Sequence, residues 1–403
     1  MGKLVMGKQL KIALFSDAYE PQVNGVVTSV RLLKEELESR GHKVVLFAPE
    51  AKMKHKKGVY PVPSMPLPLY WSWRIGVPFG FFLRYSMRKI KGLNLSDFDI
   101  VHVHTPAGVG IDGIILAKLL NLPSVMTYHT FFPKYVGLYF PWMGKRLAAA
   151  ASKGADAVLN WLYSQADATI VPSEDVMKYL KSRGFKKPMF VVPTGVKMKR
   201  KHNRERVRKK FGWTGKKILL HVARLSPEKN IDFLLRTMKL IEKERDDVYF
   251  YITSTGPSEK HLKSLAKRLG LKNVFFTGFV SDRQLEEMYS GADAFVFASE
   301  TDTQAIVLME AAFQGLPIIV RNAPVTGSFV KRYGGLVARR EPADMKEKIY
   351  AIIDNPGLRD KISSGYKRVV DDFNVRRCID DMIKVYNIVI EIKKREVAGR
   401  RRV

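Results

Sequence analysis

The sequence predicts an α/β fold of two Rossmann-like halves, each a doubly wound parallel sheet, facing a deep cleft between them. Three observations predict it. Short apolar strands alternate with helix-length segments along nearly the whole chain. The same alternation restarts after a polar break between Thr194 and Trp213. The 403 residues suffice for two or three domains.

In the first half, the apolar run at residues 11–15 reads as a buried strand ending at Ser16-Asp17. Val27, Val30, Leu33 and Leu37 then recur at helical spacing until Gly41 stops the helix. Further strands are expected at 43–48, 99–104, 124–127, 168–171 and 189–192, with a helix over 111–120. In the second half, strands are expected at 217–222, 248–253, 274–276, 294–297 and 317–320. Helices are expected at 231–244, 258–269, 282–290 and 305–314, and a last one from Val375 to Arg395. The break itself carries nine lysines and arginines against the single acid Glu205, the pattern of a solvated linker and helix. These boundaries give an N-terminal domain of residues 1–195, rejoined by 375–403, and a C-terminal domain of residues 196–374.

Composition bounds the function. Hydrophobic residues make up 46 % and charged residues 27 %, which excludes a disordered, collagen-like or coiled-coil chain. The net charge of +30 calls for a polyanion, a membrane surface or a thermophilic source. The single Cys378 excludes an intrachain disulfide framework and a cysteine-only zinc site, and suits a reducing compartment. Lys3 and Lys8 interrupt the N-terminus, so no signal-peptide core is read there, and no run of about 20 apolar residues is found. The expected location is cytoplasmic, peripheral on the inner face of the cell membrane.

Open parallel sheets bind ligands at the carboxyl ends of their strands, so the loops there are the places to search. Four stand out. Pro21 to Val27 carries Gly25, which lets the backbone approach a ligand beside a helix start. Tyr128-His129-Thr130 follows a strand directly, and a histidine there can donate to a substrate hydroxyl. Ala223 to Asn230 holds Arg224 and Lys229 on one loop, a planar fork and a point charge suited to a diphosphate, with Asn230 as a helix cap. Ser299 to Ala311 holds Asp302 and Glu310 eight residues apart; a helix from Thr303 would put Asp302 at its N-cap and aim free amides at an anion. Phosphate-binding lysine loops, zinc-protease and nucleophile-elbow motifs are missing.

Taken together and in order, these elements resemble the retaining glycosyltransferases of family 4, whose two-Rossmann architecture is called GT-B. The Glu-Ala-x-x-x-Gly-x-Pro stretch from Glu310 to Pro317 is the most specific part, followed by Arg224–Asn230. Gly41-His42-Lys43-Val44, Val101 to Pro106 and Thr127 to Thr130 look like the subgroup that glycosylates diacylglycerol or phosphatidylinositol. The resemblance implies an enzyme, a hexosyltransferase. Arg224 and Lys229 would hold the donor diphosphate, and Glu310 the donor ribose. Asp302 stands where the family has the first glutamate of its Glu-x7-Glu motif, near the donor sugar. The amides of Ile306 and Val307 would meet phosphates, His129 would contact the sugar, and Gly25 would line the cleft. The last helix would cross back onto the first domain. The leaving phosphate would take the acceptor's proton on the same face. No metal and no tightly bound cofactor are implied; a UDP- or GDP-sugar is the co-substrate. The chain departs from the family pattern at Asp302, Ser254, Ala305 and Arg321, the second and third standing where glycine is common.

The acceptor is read from composition. Residues 51–92 hold nine lysines and arginines and no acid, interleaved with Tyr60, Tyr70, Trp71, Trp73, Phe79, Phe81, Phe82 and Tyr85. Residues 131–153 also lack acids and carry Phe131, Phe132, Tyr135, Tyr139, Phe140 and Trp142. Basic and aromatic side chains together suit an anionic membrane interface and a lipid acceptor, some of the aromatics belonging to the core. A soluble acceptor such as a sugar phosphate or glycan, a nucleotide-sugar-binding pseudoenzyme and a basic nucleic-acid-binding protein are the competing readings. No nucleic-acid-binding signature accompanies the charge, so no specific nucleic acid is expected.

Overall fold

The computed structural model describes residues 8–22, 24–50, 57–67, 70–77, 79–84, 89–90, 93–131, 135, 144–197 and 202–400. The chain divides into two compact units. Met1–His129, Lys153–Gly195 and Val375–Val403 form the first; Thr130–Ser152 and Val196–Asn374 form the second.

The first unit is built on a seven-stranded, fully parallel sheet. Its strands are β1 (Lys11–Phe15), β2 (Lys43–Pro49), β3 (Val59–Val62), β4 (Ile100–Val103), β5 (Ser124–Thr127), β6 (Ala168–Val171) and β7 (Met189–Val191), in the order β7-β6-β5-β4-β1-β2-β3. Ile12 to Phe15 are buried, as expected of a central strand covered on both faces. Helix α1 (Gly25–Ser39) is capped by Asn24, whose side chain accepts from the Val27 amide, and buries Val27, Val30, Leu33 and Leu37. Helix α2 (Gly108–Leu119) follows β4. The long C-terminal helix, Val375–Arg400, puts Ile379, Met382, Tyr386 and Val389 into the same core as Val30, Leu33 and Ile100.

One buried carboxylate ties this unit together. Asp17, just after β1, accepts from the amides of Gly76 (2.8 Å), Val109 (3.1 Å) and Gly110 (3.3 Å) and from the Thr105 hydroxyl (2.7 Å). Burial pushes its carboxyl up from the ordinary range, against the pull of those donors. Sequence reading did not single this residue out.

The second unit carries a six-stranded parallel sheet: β8 (Lys217–Val222), β9 (Val248–Thr253), β10 (Val274–Gly278), β11 (Ala294–Phe297), β12 (Ile318–Arg321) and β13 (Leu336–Ala338), in the order β10-β9-β8-β11-β12-β13. The chain runs outward from β8 to β10, then returns to lay β11 on the other side of β8. The switch point between β8 and β11 is where such sheets bind ligands. In the first sheet the corresponding point lies between β1 and β4.

Several expectations need correction. Among the aromatics of the two acid-free stretches, some of which were expected in the core, Phe81 and Phe131 are core residues, Tyr60 packs on Phe47 at 5.7 Å, and Phe79 is exposed. Tyr85, Phe132, Tyr139, Phe140, Trp142 and the side chains of Tyr70, Trp71 and Trp73 lie outside the described residues. Within the basic break, Arg204 and Arg208 are not merely solvated: both pair with buried Asp293, and Arg208 also caps the carbonyls of Gly291 and Trp213. Lys199, Arg200 and Lys201 lie outside the described residues. A 20-residue helix at Gly144–Tyr163 was not read from the sequence.

Candidate active site

The loop after β8 makes a single 3₁₀ turn over Pro227–Lys229. That turn folds Glu228 under Arg224. The Glu228 carboxylate is buried and accepts from the Arg224 guanidinium (2.9 Å) and the Ser226 hydroxyl (2.6 Å), while the Ser299 hydroxyl reaches its main-chain carbonyl (3.1 Å). A charge-assisted bond of this kind fixes the guanidinium plane instead of leaving a flexible cation. Lys229 leans across the switch point, over the Phe297 ring, onto Asp302: its ammonium donates to both carboxylate oxygens, at 2.9 and 3.0 Å. Arg224, Lys229 and Asp302 thus meet between β8 and β11, and Glu228 is the member that sequence reading missed.

Asp302 does not cap the following helix. The helix runs over Ile306–Phe313, and its N-cap is Ala305, in the left-handed region at φ 57° with no side-chain cap. Residues 302–305 turn before the helix starts, so Asp302 is released to bind Lys229, and the first-turn amides of Ile306 and Val307 carry no side-chain cap. Ser254 is also left-handed, at φ 81°. Both departures from the family pattern therefore keep the backbone that glycine adopts without strain. Ala305→Gly is expected to hold or raise stability, by about 0.5 kcal/mol, in urea unfolding. Gly256 has no such latitude: a Cβ there would lie 2.3 Å from the Leu225 carbonyl oxygen.

Glu310 accepts from the Tyr289 hydroxyl at 2.9 Å, and burial raises its carboxyl above the usual range. Tyr289 is a second residue not anticipated. A third is Tyr135. It stands in the aromatic, acid-free stretch assigned from sequence to a membrane interface, yet it belongs to the second unit, where burial and the nearby charges of Glu228 and Asp302 raise its hydroxyl above the usual range. Arg321 pairs with Glu300 and lies over the Phe233 ring at 5.4 Å. Among the described residues no group of three His, Cys, Asp or Glu side chains is placed to hold a metal ion.

Gly25 and His129 sit in the first unit. Gly25 opens α1 under the Asn24 cap. His129 Nε2 bonds His104 Nδ1 at 3.0 Å, and the two rings stack at 5.3 Å. His102, two residues earlier and within β4, bonds Tyr386 and Thr127 at 2.6 Å each. Burial depresses these imidazoles: His102 to about 3, His129 to about 4, and His104 well below 6.5. In the second unit His221 is likewise lowered to about 4. All four are neutral at physiological pH. A group whose folded pKa is depressed contributes stability that is intact above its unfolded value and lost as pH falls. Acid destabilisation is therefore expected as pH falls from 6.5 toward about 4, measured as urea midpoints across that window.

The family "Glycosyltransferase Family 4" matches residues 23–200, and "Glycosyl transferases group 1" matches residues 203–369. The alpha-monoglucosyldiacylglycerol synthase of Streptococcus pneumoniae is 32 % identical over 348 residues, covering 81 % of this chain and 75 % of that one. A GDP-mannose-dependent alpha-mannosyltransferase of Mycobacterium tuberculosis is 29 % identical over 325 residues, covering 78 % and 79 %. Among solved structures, a sucrose-phosphate synthase from Thermosynechococcus elongatus superposes with a TM-score of 0.75 at 20 % identity, over 95 % of this chain and all of that one. Anabaena HepE in complex with UDP gives 0.73 at 16 %, over 94 % and 100 %. The latter two show that the fold is GT-B.

Proposed function

The chain belongs to glycosyltransferase family 4, and we propose that it moves a hexose, with retention, from a UDP- or GDP-sugar to a membrane lipid, either a glycerolipid or a lipid-linked acceptor. The observation that carries this reading is the convergence of Arg224, Lys229 and Asp302 at the switch point of the second sheet, beside the uncapped amides of Ile306 and Val307. The barrier to transfer is departure of a diphosphate. Fixed cations and amides aimed at its growing charge lower that barrier without reorganising. In this reading residues 196–374 bind the donor. Arg224 and Lys229 hold the diphosphate, Glu310 the ribose, and Asp302 orients Lys229 and reads the sugar. His129 gives the sugar a hydrogen bond, Gly25 leaves room for the donor, and the departing phosphate takes the acceptor's proton.

The lipid acceptor is supported by the relatives' names and by surface chemistry. In the first unit, Val158 and Trp161 are exposed on the helix Gly144–Tyr163, which also carries the exposed cation Lys153. Aromatic and basic groups side by side suit an anionic bilayer surface, which we propose as the docking partner of the N-terminal domain at the cytoplasmic face. No helix among the described residues is long and apolar enough to cross a membrane. The test is to offer labelled nucleotide sugars with diacylglycerol-containing anionic vesicles. Label in the extractable lipid, in the donor's anomeric configuration, is the expected product. Label confined to water-soluble glycosides would overturn the lipid assignment.

A further inference from the structure

Three imidazoles in the first unit take part in two short hydrogen-bonded runs, Tyr386–His102–Thr127 and His104–His129. Among the described residues, Tyr386 and Thr127 each have one side-chain hydrogen bond, both to His102. A neutral imidazole donates from one nitrogen and accepts at the other. If His102 donated from Nδ1, the buried Tyr386 proton would have no acceptor. The phenol therefore donates to Nδ1, His102 donates from Nε2 to Thr127, and the Thr127 hydroxyl proton must find an acceptor elsewhere. Thr127 borders a cavity that is also lined by Ser29, Thr194, Cys378 and His104, with room for one water molecule. His104 Nε2 is buried with no partner among the described residues, and His104 itself is 1 % exposed. The Thr127 hydroxyl and His104 Nε2, each with hydrogen-bonding capacity left over, thus line one small cavity whose remaining walls are mostly apolar.

We propose that a resident water in this cavity accepts from Thr127 and donates to His104 Nε2. His104 then donates from Nδ1 to His129 Nε2, and His129 keeps its proton on Nδ1. The chain Tyr386–His102–Thr127–water–His104–His129 makes Thr127 and His104 positioning residues. They hold His129 in the one tautomer that presents Nδ1–H as a donor. The functional consequence rests on the reading that His129 meets the donor sugar; the tautomer itself does not.

The experiment is therefore done in two arms on the full chain. In the first, two-bond nitrogen–proton correlation spectra of ¹⁵N-histidine-labelled protein, assigned with His129→Gln, report the tautomer at pH 7. The Nδ1–H form of His129 is expected, and the Nε2–H form would overturn the proposal. Thr127→Val, nearly isosteric, should yield mixed tautomers, and Thr127→Ser should restore the single one. An unchanged spectrum in Thr127→Val would also overturn it. In the second arm, Thr127→Val should lower kcat about tenfold with KM for the nucleotide sugar unchanged. An unaltered kcat alongside a scrambled tautomer would remove His129 from the sugar contact and leave the water chain standing.

Discussion

Arg224→Ala is expected to lower turnover by roughly 10²-fold or more, the order of loss when one preorganised donor to a developing anion is removed. The guanidinium is held flat by Glu228, itself held by Ser226, so it meets charge without first paying the entropy of ordering a long side chain. Because truncation leaves Glu228 buried beside no cation, unfolding is measured in parallel. Arg224→Lys separates the two effects: it keeps the charge and loses the fork, so it should remain folded with turnover between wild type and alanine. Near-normal turnover in folded Arg224→Ala would remove this loop from the chemistry.

The largest stability effect is expected at Asp17. Asp17→Ala strips the acceptor from three buried amides and one hydroxyl at once. At about 1–3 kcal/mol for each buried group left unsatisfied, even partial relaxation leaves a loss of about 3 kcal/mol or more in urea unfolding. The surroundings have little room to adjust. A Cβ at Gly108 would lie 2.0 Å from the Gly76 carbonyl oxygen, and one at Gly110 would lie 1.7 Å from that of Thr105. Those glycines let α2 come close enough to aim its first amides at the carboxylate. Asp17→Asn should recover part of the loss, since its oxygen still accepts while its amide faces donors. A loss under 1 kcal/mol in the alanine variant would show that water takes over the role.

The sheet strands were legible because a parallel strand covered on both faces is mostly apolar, and residues 12–15, 218–220 and 294–297 form such uninterrupted runs. Arg224, Lys229, Asp302 and Glu310 were legible as motif residues next to such strands. What escaped was long-range or conformational. No spacing announces that Tyr289 will meet Glu310, or that Tyr386 will meet His102 from the far end of the chain. Asp302 was misread as a cap because an aspartate before a helix usually is one; the left-handed Ala305 delays the helix instead. Tyr135 was misread because aromatic-rich, acid-free composition describes a wet interface and a buried contact equally well. One signal was available and unused. His102 and His104, two apart where the strand Ile100–Val103 ends, bring their rings within 4.0 Å of each other on one side.

The central claim is that this chain breaks a nucleotide sugar and hands the sugar to a lipid. It is tested most directly by nucleoside diphosphate release from a panel of UDP- and GDP-sugars, with and without lipid vesicles. The account predicts release that requires both one particular donor and the vesicles, and that falls with Arg224→Ala. Donor binding without release under any combination would contradict it and mark a pseudoenzyme; Asp302→Glu would then be the variant in which to look for recovered turnover.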